Sequence, residues 1–175
     1  MARLRYVDAG KSPRVDELYA RIGGLGRPVL NLYRVLANQP EALASFLGIS
    51  AYVRDGSSLD ARLRELLILA TAHGLAQEYE LAQHTDIARR AGLEPEKIDA
   101  AKGGALDALD ARERCAVEYA HAVARTRDCD DATFARLREN FDDGAVLDVV
   151  LTVAWYHLCA AVLGPLRVEL ETPSR

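Results

Sequence analysis

An all-α fold is predicted by three observations. Apolar residues recur at spacings of three and four along most of the 175-residue chain. No segment alternates long enough to make a convincing strand, Arg167 to Leu170 being the one weak candidate. Helix punctuation, with Ser, Asp or Pro at starts and Gly at stops, cuts the sequence into helix-length pieces. At 50% hydrophobic and 27% charged residues, the composition suits one domain with a substantial core. A single-domain helical bundle is the expected architecture.

Met1 to Lys11 reads as an extended arm, after which Ser12-Pro13 supplies an N-cap and a proline at the first helical position. That helix is expected to stop at Gly23-Gly24, so residues 1–27 form an arm and first helix ahead of a helical domain over 28–175. Pro28 to Ala37 and Pro40 to Val53 are two further helical runs, each opened by a proline. Asp55-Gly56-Ser57-Ser58 reads as a turn ending at the N-cap of the next helix. Leu59 to Ala91, closed by Gly92, is a pair of consecutive helices and the part around which the rest is organised. A short helix, Pro95 to Ala101, and a Gly103-Gly104 break follow.

Leu109-Asp110-Ala111-Arg112 then repeats Leu59-Asp60-Ala61-Arg62 letter for letter, a hint of two similar helical hairpins. Asp near a helix start suits the helix dipole in either case. Asp131 to Asn140 is amphipathic. Asp143 to Leu163 is apolar enough to be buried, and Gly164-Pro165 is expected to end or bend it.

The central pair carries polar residues where the core should be. On a wheel of about 100° per residue, Glu65 shares its face with Ala61, Ile68, Leu69, Ala72 and Ala76. In the second helix Gln77, Glu80, Leu81, His84, Ile87 and Ala88 share one side, with Glu78, Arg89 and Arg90 elsewhere. A buried carboxylate must find a partner or hold its proton. Glu80 and His84, four residues apart, can meet on one face. A buried Glu/His set is a candidate acid–base site, with Glu65, Glu80 and His84 as catalytic candidates. The plainer alternatives are a Glu65 carboxylate paired with Arg62 or Arg64, and a Glu80–His84 ion pair that sets helix register. Trp155-Tyr156-His157 interrupts a buried apolar helix, so these three, with Gln77 and Tyr79, are the candidates for lining a substrate pocket. His73 is expected to be a satisfied core histidine, and His121 structural or exposed.

Net charge of −4 with scattered Lys and Arg argues against nucleic acid or an anionic membrane as partner. No run was expected to be long and apolar enough for a signal peptide or a membrane span, which favours a cytoplasmic location. Cys115, Cys129 and Cys159 have neither C-x-x-C nor zinc-like spacing, and are read as inert thiols. No cofactor is expected. A metal held by Glu65, Glu80 and His84 is the weakest of the readings, because two carboxylates and one His more often form a hydrogen-bonded set.

The run RELLILATAHGLAQEYELAQH, from Arg64 to His84, resembles the carboxymuconolactone decarboxylase family, which also holds alkyl hydroperoxidase accessory proteins of the same fold. The similarity extends more weakly from about Pro28 to Glu171. The hydroperoxidase branch carries a Glu, a C-x-x-C and a His four residues after the second Cys. Glu65 and His84 match its Glu and His, while Gln77 and Glu80 stand at the two Cys positions. Without that dithiol no thiolate is there to attack a peroxide and no partner to resolve a sulfenic acid. EYELAQH, Glu78 to His84, is instead similar to the Glu-x-Glu-Leu-x-x-His of the decarboxylase branch. The resemblance implies a homo-oligomeric, thiol-free enzyme, decarboxylase-like, using Glu/His acid–base chemistry on a small carboxylated or lactone-type substrate. The alternatives are a peroxiredoxin-like antioxidant activity, disfavoured by the missing dithiol, and a non-catalytic oligomeric helical protein.

Overall fold

The structure, a computed structural model, describes residues 1–171. The final four residues of the 28–175 region lie outside the described residues. Among the described residues nine α-helices follow in order: α1 Pro13–Gly24, α2 Asn31–Leu36, α3 Pro40–Ala51, α4 Ala61–Gly74, α5 Glu78–Arg90, α6 Pro95–Ala101, α7 Ala111–Thr126, α8 Asp131–Asn140 and α9 Asp143–Leu166. Among the described residues there is no strand, and Arg167 to Leu170 is irregular. The all-α prediction holds.

Several helices start where the preceding residue supplies a side-chain oxygen to their first free N–H groups. The Ser12 hydroxyl accepts from the Val15 amide. Asp60 accepts from Arg62 and Leu63, and Asp130 from Thr133. Asp110 and Glu113 form a reciprocal capping box at the start of α7. Both copies of Leu-Asp-Ala-Arg are therefore helix starts with Asp as the cap, each worth about 1 kcal/mol.

The described residues divide into two compact units, one of 1–51 with 162–171, the other Tyr52–Ala161. In the first, α1 and α2 pack on α3. The N-terminal arm is tied down there by the Tyr19 hydroxyl, which donates to the Val7 carbonyl at 2.7 Å.

In the second unit α4 packs on α5 and α7, and α7 on α8. Leu66, Leu67, Leu69 and Ala70 of α4 are wholly enclosed, as the nearly uninterrupted apolar run requires. At roughly 1.5–3 kcal/mol for each large side chain buried, these residues make α4 the axis of the unit. Gly74 lets α4 approach α7, since a Cβ there would lie 2.5 Å from that of Ala124. Two helical hairpins, α4–α5 and α7–α8, result. In each the first helix is followed by a non-glycine residue in left-handed conformation, Ala76 at φ 50° and Arg127 at φ 63°.

Several local expectations are corrected. The segment from Pro28 becomes helical only at Asn31, whose amide donates to Glu171 Oε1 at 2.6 Å. The run from Pro40 ends at Ala51 and continues as a π-helical turn, Tyr52–Gly56, in which the Ser57 amide donates to the Tyr52 carbonyl at 2.8 Å. The N-cap of α4 is Asp60, not Ser58, whose amide instead donates to Asp148 Oδ2 at 2.7 Å. Helix α9 runs through Gly164-Pro165 to Leu166, since a proline in the last turn costs only one ladder bond. Its 24 residues are also long and apolar enough, by length and composition, to cross a membrane. That corrects the expectation that no run qualifies. Half of its most apolar window is buried inside the protein.

Candidate functional site

Helices α4 and α5 bring Glu65, Glu80 and His84 together. The Asp60 cap fixes the start of α4 and so the height of Glu65 along it. The Gln77 side chain accepts from the Tyr79 amide at 3.3 Å and starts α5. This puts Glu80 in the first turn, where the helix dipole favours a carboxylate, and His84 one turn further on. His84 Nδ1 lies 2.6 Å from Glu65 Oε2, and Nε2 lies 3.3 Å from Glu80 Oε2. The three are 3%, 5% and 2% exposed in the order Glu65, Glu80, His84. Arg62 pairs instead with Glu94 at 2.9 Å, and the Arg64 guanidinium donates to the Leu59 carbonyl, so neither takes the Glu65 carboxylate.

Two further residues extend the cluster. The Tyr156 hydroxyl, from α9, is 3.2 Å from His84 Nε2, with its ring edge-on to the imidazole at 5.1 Å. Arg54, from the π-helical turn, donates through Nη2 to that hydroxyl at 3.4 Å. A polar chain thus runs from buried Glu65 through His84 and Tyr156 to a half-buried guanidinium.

Charge balance sets the protonation of this chain. Burial pulls the His84 pKa down, but the Glu65 carboxylate, by its charge and its hydrogen bond, and then Glu80 outweigh it, and the net direction is up. The imidazolium is therefore favoured, with one ring N–H directed at each carboxylate. Burial drives the Tyr156 hydroxyl well above its ordinary value; Arg54 opposes this and both glutamates add to it. Cys159 is also pushed well up, first by burial and then by Glu80, so its thiol keeps its proton. Burial likewise raises Cys115 and Cys129.

The remaining predicted positions separate. Gln77 is a half-exposed N-cap, while Tyr79 and Trp155 are buried. His157 points away from the cluster, lining a cleft with Arg127 and Phe134. His73 is exposed, not a core residue: it stands in the last turn of α4 with its ring beside Gly103 and His121. His121 is structural, its Nε2 bonded to the Ala101 carbonyl at 2.8 Å. The Glu65–Glu80–His84 metal reading does not fit this geometry. The imidazole stands between the carboxylates with a ring nitrogen toward each, so the three donors do not converge on a point, and among the described residues no set of three or more His, Cys, Asp or Glu is placed to hold a metal ion. Arg54 was missed by the sequence reading; the one local signal is a cation ending the apolar run Ile49-Ser50-Ala51-Tyr52-Val53.

An all-helical, hydroperoxidase-like fold with a buried imidazole between two carboxylates defines the class. Residues 40–122, a stretch that holds Glu65, Glu80 and His84, match the model of the carboxymuconolactone decarboxylase family. No curated protein matches the chain. Among solved structures, a Cys-to-Ala variant of the debrominase Bmp8 in complex with 2,3,4-tribromopyrrole is 15% identical, with a TM-score of 0.84 over 98% of this chain and 93% of that one. An alkylhydroperoxidase AhpD core, a peroxidase-related protein from Ralstonia eutropha JMP134, is 21% identical, with a TM-score of 0.83 over 97% and 92%. A peroxidase-related protein from Silicibacter sp. TM1040 is 19% identical, with a TM-score of 0.80 over 98% and 96%. At these identities the likeness is one of fold.

Proposed function

We propose that this protein is a thiol-free acid–base enzyme, decarboxylase-like, acting on a small carboxylated or lactone-type molecule. The observation that carries the reading is the unbroken polar chain Glu65–His84–Tyr156–Arg54, with Glu80 beside the imidazole. The half-buried Arg54 receives the substrate's anionic group, as a guanidinium fork suits a carboxylate. On decarboxylation the C–C bond to the carboxylate breaks and CO2 leaves. The electron pair stays on the substrate as a carbanion or enolate, and a proton is delivered to carbon through the Tyr156 hydroxyl from the His84 imidazolium. Water restores the proton to His84. The paired carboxylates hold the imidazole in charge and orientation throughout.

A peroxide-reducing role is disfavoured by Gln77 and Glu80 at the dithiol positions and by the raised pKa values of all three thiols. The near-complete burial and mutual bonding of the three side chains favour a second reading, a register-setting ion cluster in a non-catalytic oligomer. Self-association is part of both readings. Leu147, Leu151 and Leu158 of α9 are exposed at spacings of four and seven, a seam suited to a second copy. Light scattering is expected to give at least a dimer, and Leu151→Glu to dissociate it; a monomer at micromolar concentration would count against the assembly.

The test of function is a panel of carboxylated lactones and related small acids followed by CO2 release, with His84→Gln and Glu80→Gln in parallel. Loss of about a hundredfold or more in a folded His84→Gln variant is expected of a general acid. Equal turnover in that variant, or no turnover by the wild type on any member of the panel, would favour the register-setting reading.

A further inference from the structure

Helix α9 carries a polar stripe that the acid–base chain uses only in part. Asp148, Thr152 and Tyr156 recur every four residues on a helix built almost wholly of apolar ones, and all three are buried. Tyr156 meets His84 and Arg54, and the Thr152 hydroxyl donates back to the Asp148 carbonyl at 2.8 Å. The Asp148 carboxylate has no part in that chain. A buried carboxylate is costly unless its oxygens are satisfied, and both of these are.

Both oxygens hold the π-helical turn. The Tyr52 hydroxyl, at its first residue, donates to Asp148 Oδ1 at 2.5 Å, and the Ser58 amide, just past its last, donates to Oδ2 at 2.7 Å. Ser57 closes the turn from within, its amide donating to the Tyr52 carbonyl at 2.8 Å and its hydroxyl to the Val53 carbonyl at 3.2 Å. The Tyr52 ring lies against Gly56, where a Cβ would come within 3.1 Å of it. Burial raises the Asp148 pKa, but the Tyr52 and Ser58 hydrogen bonds outweigh it and the net direction is down, so the group that grips the turn is an anion.

Arg54 lies inside the gripped segment. Its Nη2 reaches the Tyr156 hydroxyl at 3.4 Å, about 12 Å further along α9 than Asp148 at 1.5 Å per residue. One helix therefore supplies both the anchor of the turn and the hydroxyl that its guanidinium meets. Turns of this kind are rare in general and frequent at functional sites.

We propose that Asp148 and Tyr52 are positioning residues: by gripping both ends of the turn they hold the Arg54 guanidinium against Tyr156 and toward the substrate's carboxylate. The substrate's part in this rests on the acid–base reading; the grip itself rests on geometry alone.

Asp148→Ala would also open a void in the helix core, so Tyr52→Phe is the informative variant. It removes one bond of the grip and keeps the ring beside Gly56 and the bond from Ser58 to Asp148. Hydrogen exchange at the Arg54 Nε–H, followed by 15N NMR and assigned by its loss in Arg54→Ala, needs no substrate. It is expected to quicken at least about tenfold in Tyr52→Phe, while the amides of α4 exchange as in the wild type. On a substrate from the carboxylated panel, kcat/KM is expected to fall about tenfold in Tyr52→Phe, as for loss of one hydrogen bond to a charged group. It should fall no further in Tyr52→Phe/Arg54→Ala than in Arg54→Ala alone, whereas a purely structural role would lower both backgrounds alike. Unchanged Arg54 exchange in Tyr52→Phe, or losses that add in the double variant, would overturn the proposal. Turnover unaffected by His84→Gln, or none by the wild type, counts instead against the acid–base reading, and the exchange measurement then still decides whether the grip holds Arg54.

Discussion

Counted from its N-cap, the fifth residue of the α4–α5 hairpin is Glu65, and that of the α7–α8 hairpin is Cys115. In the second helices, the third and seventh residues after the cap are Glu80 and His84 in one hairpin, Thr133 and Leu137 in the other. All six side chains are buried. The hairpins share their Leu-Asp-Ala-Arg start and a left-handed residue after the first helix. One encloses two carboxylates and an imidazole; the other encloses a thiol, a hydroxyl and a leucine. Packing of this motif therefore does not demand charge. Burying charge costs several kcal/mol per ion before pairing returns any of it, so the charge in α4–α5 is a cost that packing of the motif does not require.

Exchanging the contents of the hairpins is the sharpest way to break this comparison. His84→Leu copies Leu137 and leaves both glutamates buried without their cation; chemical denaturation should show a loss of about 3–5 kcal/mol. Glu65→Cys/Glu80→Thr/His84→Leu copies the whole second hairpin and should recover stability to the wild-type level or up to about 1–4 kcal/mol above it. The same triple variant should have no turnover on any substrate the wild type accepts. A triple variant as unstable as the single one would show that the hairpins are not interchangeable frameworks.

The hairpins should also differ in their response to pH. The folded-state pKa of His84 lies above its unfolded value, which is about 6.5. Its stabilisation is thus complete below that value and is lost as pH rises through the folded pKa. Melting temperature should fall over that alkaline-going window in the wild type. The triple variant should lack this component, and an identical slope in both would assign the effect to other groups.

The shared left-handed residue gives a smaller, symmetric effect. Ala76→Gly and Arg127→Gly should each gain about 1 kcal/mol or less, because relief of the αL strain exceeds the entropy cost of glycine. Ala76 adjoins Gln77, the cap of α5, so only Ala76→Gly is expected to lower turnover. Smallest of all should be the joint replacement of Cys115, Cys129 and Cys159 by Ser or Ala. Turnover should persist apart from packing losses at buried Cys115 and Cys159, and peroxide reduction with a dithiol donor should stay at background. Activity abolished in a folded thiol-free variant would revive peroxidase chemistry.

Glu65 and His84 could be found in the sequence because helical periodicity alone places each on an apolar face, and i, i+4 spacing links Glu80 to His84. Their joining across two helices, with the Glu65 contact shorter than the Glu80 contact, needs the hairpin packing. Tyr156 could be singled out as a polar interruption of α9, but not separated from its neighbours. The helix turns Tyr156 toward His84 and His157 toward Arg127 and Phe134, adjacent residues about 100° apart. Arg54 carried almost no signal, since its place depends on the π-helical turn that lengthens the exit from α3. His73 was misread because α4 is apolar nearly all round until its last turn reaches the surface at Gly74.

What the sequence by itself determined is local: the helix starts at Ser12 and Asp110, the helix periods, the missing dithiol, and the carboxylates on apolar faces. Capping and periodicity act over a few residues, so neighbouring letters suffice to read them. The tertiary structure decided which charges share one proton system, which face of α9 meets which hairpin, and that the two hairpins enclose such different chemistry. Those outcomes depend on contacts between residues up to 102 positions apart, as Arg54 and Tyr156 are. Only packing in three dimensions, through the burial that shifts a pKa and the distance that makes a hydrogen bond, sets them.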